Sequence, residues 1–182
     1  MIILAKTIRF ALDVRSINKA IKEAEAYCAK LKRIEESICE GLAQIGLKEA
    51  SVRFSSARYD GVNDSAVSIE QTGKGYNVVA SGNAVAFIEF GTGVTHNRGV
   101  NYPIKKPSGI VGIGEYGKKM GRRREWRYKG NPGTNGVLRK DPKTETEWVV
   151  TQGNPAQMPM YKALVKMQDE AERVVREAFK NA

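Results

Sequence analysis

Histidine occurs once in this chain, at His96, and cysteine twice, at Cys28 and Cys39. A lone imidazole works as a general base only beside an orienting partner and a nucleophile, and Thr95, Asn97 and Arg98 form no such set. Two cysteines and one distant histidine also fall short of a zinc ligand set, so neither a metal site nor a cofactor is expected. The cysteines lie eleven residues apart on one predicted helix. That places them roughly 16 Å apart, well beyond disulfide reach. Buried free thiols in a reducing cytoplasm are therefore expected. Long apolar runs are missing too. None approaches the length of a membrane span, and the start, Met1–Ile2–Ile3–Leu4–Ala5–Lys6, is too short for a secretory signal. The expectation is a soluble intracellular product with no membrane partner.

What the chain does have is positive charge. Thirty Lys and Arg oppose twenty Asp and Glu, a net +10 over 182 residues. Such an excess favours an acidic partner: nucleic acid, an anionic membrane or an acidic protein surface. The charge is not spread evenly. Residues 94–152 hold thirteen Lys and Arg against five acids, together with nine of the eighteen glycines and four of the six prolines. A structureless segment of this length is uncommon inside a compact domain unless it is functional or mobile. The chain therefore reads as a single domain, 1–182, carrying a basic glycine-rich insertion or arm over 94–152.

Periodicity outlines an α+β fold. Residues 2–12 alternate, with Ile2, Leu4, Ile8, Phe10 and Leu12 on one face, which predicts a half-buried strand. Ser16 is the candidate N-cap of a long amphipathic helix over 17–45, its apolar residues three and four apart, with Gly46 as its stop. Short strands are expected at 50–58, 66–71 and 76–81, separated by Asp60–Gly61, Asn63–Asp64 and Gly73–Lys74–Gly75 in an antiparallel meander. Residues 84–90 fit either a strand or a helical turn. Residues 125–129 and 147–151 each carry a Trp and are candidates to pair as an arm-like hairpin. A C-terminal helix is predicted over 160–179, with Pro159 suited to its first turn.

Few residues suggest chemistry. Gly112–Ile113–Gly114–Glu115–Tyr116–Gly117 matches G-x-G-x-x-G, yet Lys118–Lys119–Met120–Gly121–Arg122–Arg123–Arg124 follows it. That is a poor helix start, so a flexible glycine-rich loop is favoured over a dinucleotide site. Lys118, Lys119, Arg122, Arg123 and Arg124 beside Trp126 and Tyr128 suit phosphate contact and base stacking, or equally a solvated loop or an acidic protein neighbour. Glu89, between Phe87, Ile88 and Phe90, is the most unusual residue. A carboxylate in apolar company must be paired. It reads as an acceptor of backbone N–H groups or a partner of Arg or Lys across a subunit contact, ahead of a general acid or a merely exposed side chain.

Two stretches stand out as a pair. The first is Phe87–Ile88–Glu89–Phe90–Gly91–Thr92, and the second is Pro155–Ala156–Gln157–Met158–Pro159–Met160 with Ala163–Leu164 after it. Together, with a long helix and small sheet before them, they resemble a family of bacteriophage tail-component proteins typified by gene product ten of a lambdoid phage. These are the neck or tail-completion proteins of long-tailed phages. The likeness covers roughly residues 14–93 and 153–180, with Phe87, Glu89, Phe90, Gly91, Thr92, Pro155 and Pro159 as its motif positions. The insertion between the motifs, and the fuller strand at 2–12, depart from simpler members. The resemblance implies a structural virion protein without catalysis, located at the head–tail junction after synthesis in the host cytoplasm. It implies a homo-oligomeric ring through which DNA passes, bound to head connector or adaptor proteins and to tail tube or terminator proteins. The stripe on 17–45 and the sheet edges are then candidate contacts. A tail terminator ring and a sequence-independent nucleic-acid-binding protein are the alternatives.

Overall fold

In the computed structural model, residues 7–9, 11–98, 100, 102–103 and 124–182 are described. Most of the strand expected over 2–12 lies outside them, and residues 7–9, 11 and 12 are not in a strand. Among these residues, three helices and five short strands make an α+β fold. The chain divides into two compact units, 1–42 with 170–182 and 43–169, the division falling within the first and last helices.

Helix α1 runs from Val14 to Ser55, forty-two residues. Asp13 rather than Ser16 caps it, its Oδ1 accepting the Ser16 N–H at 2.9 Å. Ser16 reciprocates from inside the helix, its Oγ accepting the Ala11 N–H at 2.8 Å. Gly46 does not stop the helix. It is buried within it, where an added Cβ would lie 2.6 Å from Met167 Sδ and 3.0 Å from Val78 Cγ2. Glycine there is a packing notch, worth its helix-propensity cost of about 1 kcal/mol. The strand expected at 50–58 is therefore the end of α1. Ala50 and Phe54, four residues apart, are both fully buried on one helical face. Over so short a stretch, alternation alone does not separate a strand from a helix. The Ser55 and Ser56 hydroxyls close the last turn by donating to the Val52 carbonyl at 2.9 and 2.8 Å.

Within the first unit, Ile34, Val174 and Ala178 are buried, and a Cβ at Gly41 would come within 3.0 Å of Val174 Cγ1. Both cysteines are free. Cys39 is half-buried, but Cys28 is exposed, contrary to the expectation of two buried thiols. Cys28 falls on the side of α1 away from Ile34.

In the second unit, β1 (Ala66–Thr72) and β2 (Gly75–Ser81) form the expected antiparallel hairpin, with Ala66 opposite Ser81 and Thr72 opposite Gly75. Residues 85–90 are helix α2 (Val85–Phe90). Its start is held from a distance, as Asp64 accepts the Asn83 and Ala84 N–H groups at 2.9 and 2.8 Å. A three-stranded antiparallel sheet follows, of β3 (Trp126–Tyr128), β4 (Val137–Lys140) and β5 (Glu147–Thr151), in the order β3-β5-β4. The expected pairing of 125–129 with 147–151 is present, but β4 joins on the other side of β5. Its four residues are all exposed and give no amphipathic signal. The expected meander is thus reduced to the β1–β2 hairpin, its first strand being helical, and the second sheet is separate from it. Helix α3 (Pro159–Lys180) agrees with expectation to within a residue at each end.

The core of this unit is Ala50, Phe54, Ala84, Ile88 and Ala163, with Tyr59, Val67, Ala80 and Met160 packed on it. Among the described residues, no helix is long and apolar enough to cross a membrane.

Two predictions follow from this packing. Phe54→Ala should lower unfolding free energy by about 3–5 kcal/mol, readable by chemical denaturation. Asp64 is held below the usual carboxylate range, first by the Ala84 N–H and then by the Asn83 N–H. Its contribution is present above the unfolded carboxylate pKa of about 3.9 and is lost as pH falls through the lower folded value. Melting curves of the parent and Asp64→Ala should differ near neutrality and converge in acid; a constant offset at all pH values would refute the cap.

Candidate functional site

Helix α3 begins with a deficit that its own residues do not meet. The position before it is Met158, at φ +54°, whose side chain has no strong acceptor. Pro159 has no N–H to offer. The first unsatisfied donors are therefore the Met160 and Tyr161 N–H groups. Glu89, the penultimate residue of α2, reaches them. Its Oε2 accepts Met160 N–H at 2.8 Å and its Oε1 accepts Tyr161 N–H at 3.1 Å. Tyr102 donates its hydroxyl to the same Oε1. The carboxylate is 3% exposed and rests against the positive end of the helix dipole. This is the first of the readings open from the sequence: Glu89 takes backbone N–H groups. Burial, then the bond to Glu89, raises the Tyr102 pKa above that of a free tyrosine. Tyr102 also packs its ring against Phe90 at 4.9 Å and Tyr161 at 5.9 Å between centroids, so the carboxylate is roofed by aromatic rings.

The backbone around this cap is cross-tied. Ile88 O accepts the Gln157 N–H at 3.0 Å. The Gln157 amide pairs with the Arg58 backbone in both directions, at 3.0 and 2.6 Å. Thr92 and Asn154 exchange backbone hydrogen bonds at 2.9 and 3.1 Å. Asn97, itself buried, donates Nδ2 to Gly93 O and Asn154 O at 2.9 Å each and accepts the Ala156 N–H on Oδ1 at 2.7 Å. Such closeness requires Gly91, at φ +69°, where a Cβ would lie 2.6 Å from Ala156 N. Gly153 faces it, at φ +97°, with a Cβ position 2.1 Å from Thr92 O.

A second buried polar group extends the tie. Asp60 N–H donates to Asn154 Oδ1 at 2.8 Å. The Asp60 carboxylate accepts the Asn135 N–H at 2.8 Å and the Thr151 hydroxyl. Asp60 thus links the loop after α1 to the turn before β4 and to β5 through its side chain, and to the approach to α3 through its N–H.

Of the motif residues, Glu89, Phe90, Gly91 and Thr92 are buried, and Glu89, Gly91 and Thr92 meet the 154–161 stretch directly, while Pro159 is fully buried. Pro155 is half-buried, and Phe87 turns toward Tyr59, with ring centroids 6.3 Å apart. Lys118, Lys119, Arg122, Arg123 and the G-x-G-x-x-G stretch lie outside the described residues. Arg124 is exposed. Trp126 is half-buried and its ring lies where Cβ atoms at Gly93 and Gly153 would approach to 3.1 and 3.0 Å. It packs inward, against the chain at Gly93 and Gly153. His96 is exposed. Among the described residues, no three His, Cys, Asp or Glu side chains converge as a metal site.

Tyr102 and Thr151 carry no signal in the sequence, and Asp60, Asn97 and Asn154 enter it only as a turn residue, a neighbour of His96 and the flank of the second stretch. Their partners lie up to 94 residues away, and polar residues in glycine-rich chain carry no periodic signal. No protein-family model matches this chain, and neither a curated protein nor a solved structure does.

Glu89→Ala should destabilise by about 2–5 kcal/mol, since it leaves two N–H groups and a hydroxyl buried without a partner. Glu89→Gln, which keeps one acceptor oxygen, should cost less. Denaturant titration of both variants checks this, and equal losses would show that packing rather than hydrogen bonding dominates.

Proposed function

We propose that this chain is a structural virion protein of a long-tailed bacteriophage, forming a homo-oligomeric ring at the head–tail junction. In this reading it joins the connector or adaptor to the tail tube or terminator and lets DNA pass. The observation that supports it is the direct union of the two stretches that carry the resemblance. Phe87–Thr92 and Pro155–Met160, some sixty residues apart, meet through Glu89, Thr92 and Asn154. Residues that mark a family through architecture are expected to hold the chain to itself, and these do. The carboxylate at the centre of the motif has three donors on it. That suits a role in positioning α3 more than one in proton transfer.

A ring of identical subunits closes through heterologous contacts. The candidate surface is the apolar side of α1 near its start, where Val14 and Ile21 are 76% and 50% exposed. A tail terminator ring satisfies the same observations. A sequence-independent nucleic-acid-binding protein is the second reading, favoured by the exposed cations of the three-stranded sheet.

Electron microscopy of particles assembled without this protein tests the proposal. Full heads beside separate tails of normal length are expected. Tails of irregular or excess length would move the protein to tail termination, and normal infectious virions would overturn both.

A further inference from the structure

The two faces of the three-stranded sheet differ in kind. Residues directly opposite in antiparallel strands share a face, as do residues two apart in one strand. Trp126, Tyr128, Val149 and Thr151 therefore lie together, and Val149 and Thr151 are 1% and 2% exposed. At the β3–β5 end this face turns inward, while Leu138, Lys140 and Glu147 at its β4 end are exposed. The other carries Arg127, Val150 and Val137 in one row and Trp148 with Arg139 in the next. Lys129 joins it, its Nζ 5.0 Å from the centre of the Trp148 ring.

Arg127, Lys129 and Arg139 are all exposed. Among the described residues, none of the three forms an ion pair, although Lys140, on the opposite face, is bridged to Glu145 at 3.7 Å. The acids nearest in sequence on this side are Glu125, two residues before Arg127, and Asp141, two after Arg139, whose Oδ1 accepts the Lys143 N–H at 2.8 Å; neither is ion-paired to the three cations, and Glu147 of β5 lies on the other face opposite Lys140. A protein–protein contact ordinarily centres on an apolar or aromatic anchor that inserts into a pocket. Here the one aromatic ring is half-buried and already covered by Lys129. Arg127 and Arg139 stand on the two outer strands, roughly 10 Å apart across β5. What this face offers is three unneutralised cations on a rigid support.

We infer that the Arg127–Lys129–Arg139 face of the sheet binds the phosphate backbone of nucleic acid, without reading sequence. This surface is distinct from the basic run at 118–124 and does not rest on the ring reading. A chain that never forms a ring keeps it, and a ring-forming chain in which it fails still stands as a virion protein.

The test is fluorescence anisotropy of the purified full chain with a mixed-sequence DNA duplex of about 30 bp, between about 50 and 200 mM salt. Each phosphate contact contributes about −0.9 to the slope of log K against log salt. Neutralising all three as R127Q/K129Q/R139Q should reduce that slope by about 2.7, so the salt-induced weakening over this range shrinks about 40-fold. The charge-keeping variant R127K/R139K should bind as the parent does, because a backbone contact needs charge more than guanidinium geometry. A parental slope in the Gln variant would overturn the proposal, as would equal loss in the Lys variant. Displacement of DNA by polyglutamate as effectively as by unlabelled duplex would assign the face to an acidic protein instead. Circular dichroism checks that the triple variant folds; if it does not, each single Gln variant should lose about 0.9 from the slope, and three unchanged slopes would overturn the proposal.

Discussion

The second unit depends on one buried carboxylate. Helix α3 starts at a proline after a methionine in the left-handed region, so its own flanking residues supply no cap. Glu89 supplies it from about seventy residues upstream, and the helix start is set by where α2 ends. That is a long-range contact made at high entropic cost, because the intervening chain must be closed before the bond forms. Its geometry is held by neighbours that admit little movement: two glycines with positive φ, a reciprocal Thr92–Asn154 pair, and Asn97 bridging both stretches. Hydrogen bonds to a charged group in a poorly solvated setting are among the stronger ones, and losing one partner leaves the others unsatisfied.

The same logic recurs at smaller scale. Asp64 caps α2 from the loop before β1. Asp60 joins the loop after α1 to β5 and to the turn before β4. The chain here has short strands, a six-residue helix and glycine-rich connections, none able to satisfy its own ends. Side-chain carboxylates and amides from distant positions complete them. The architecture is therefore held by a few polar residues that bridge elements, with a small apolar core of Ala50, Phe54, Ala84, Ile88 and Ala163 beneath. On the three-stranded sheet, Arg127, Lys129 and Arg139 are exposed.

Local chemistry and periodicity made much of this fold readable in advance. The β1–β2 hairpin followed from its alternation and its Gly73–Lys74 turn, and α3 from its three-and-four spacing after Pro159. The start of α1 lies three residues before the expected one because Asp13 and Ser16 are both good caps and act together. Its end was misread because Gly46 and the alternating 50–58 stretch each have a helical explanation that needs the packed neighbours Met167 and Val78 to become visible. The strand β4, four residues and wholly exposed, leaves no pattern to read.

The sequence by itself determined the element types wherever hydrophobic spacing extends over several turns or a strand pair, the uneven distribution of charge, and that Glu89 needs a partner if it is buried among Phe87, Ile88 and Phe90. Only the tertiary structure decided who that partner is. The choice among N–H groups, an arginine and water depends on which backbone arrives beside Glu89, and that is fixed by loop closure and by the close approach that Gly91 and Gly153 permit. It likewise decided which cations are free, because opposite pairing in the sheet, not order along the chain, puts Arg127, Lys129 and Arg139 on one face and turns Trp126 to the other.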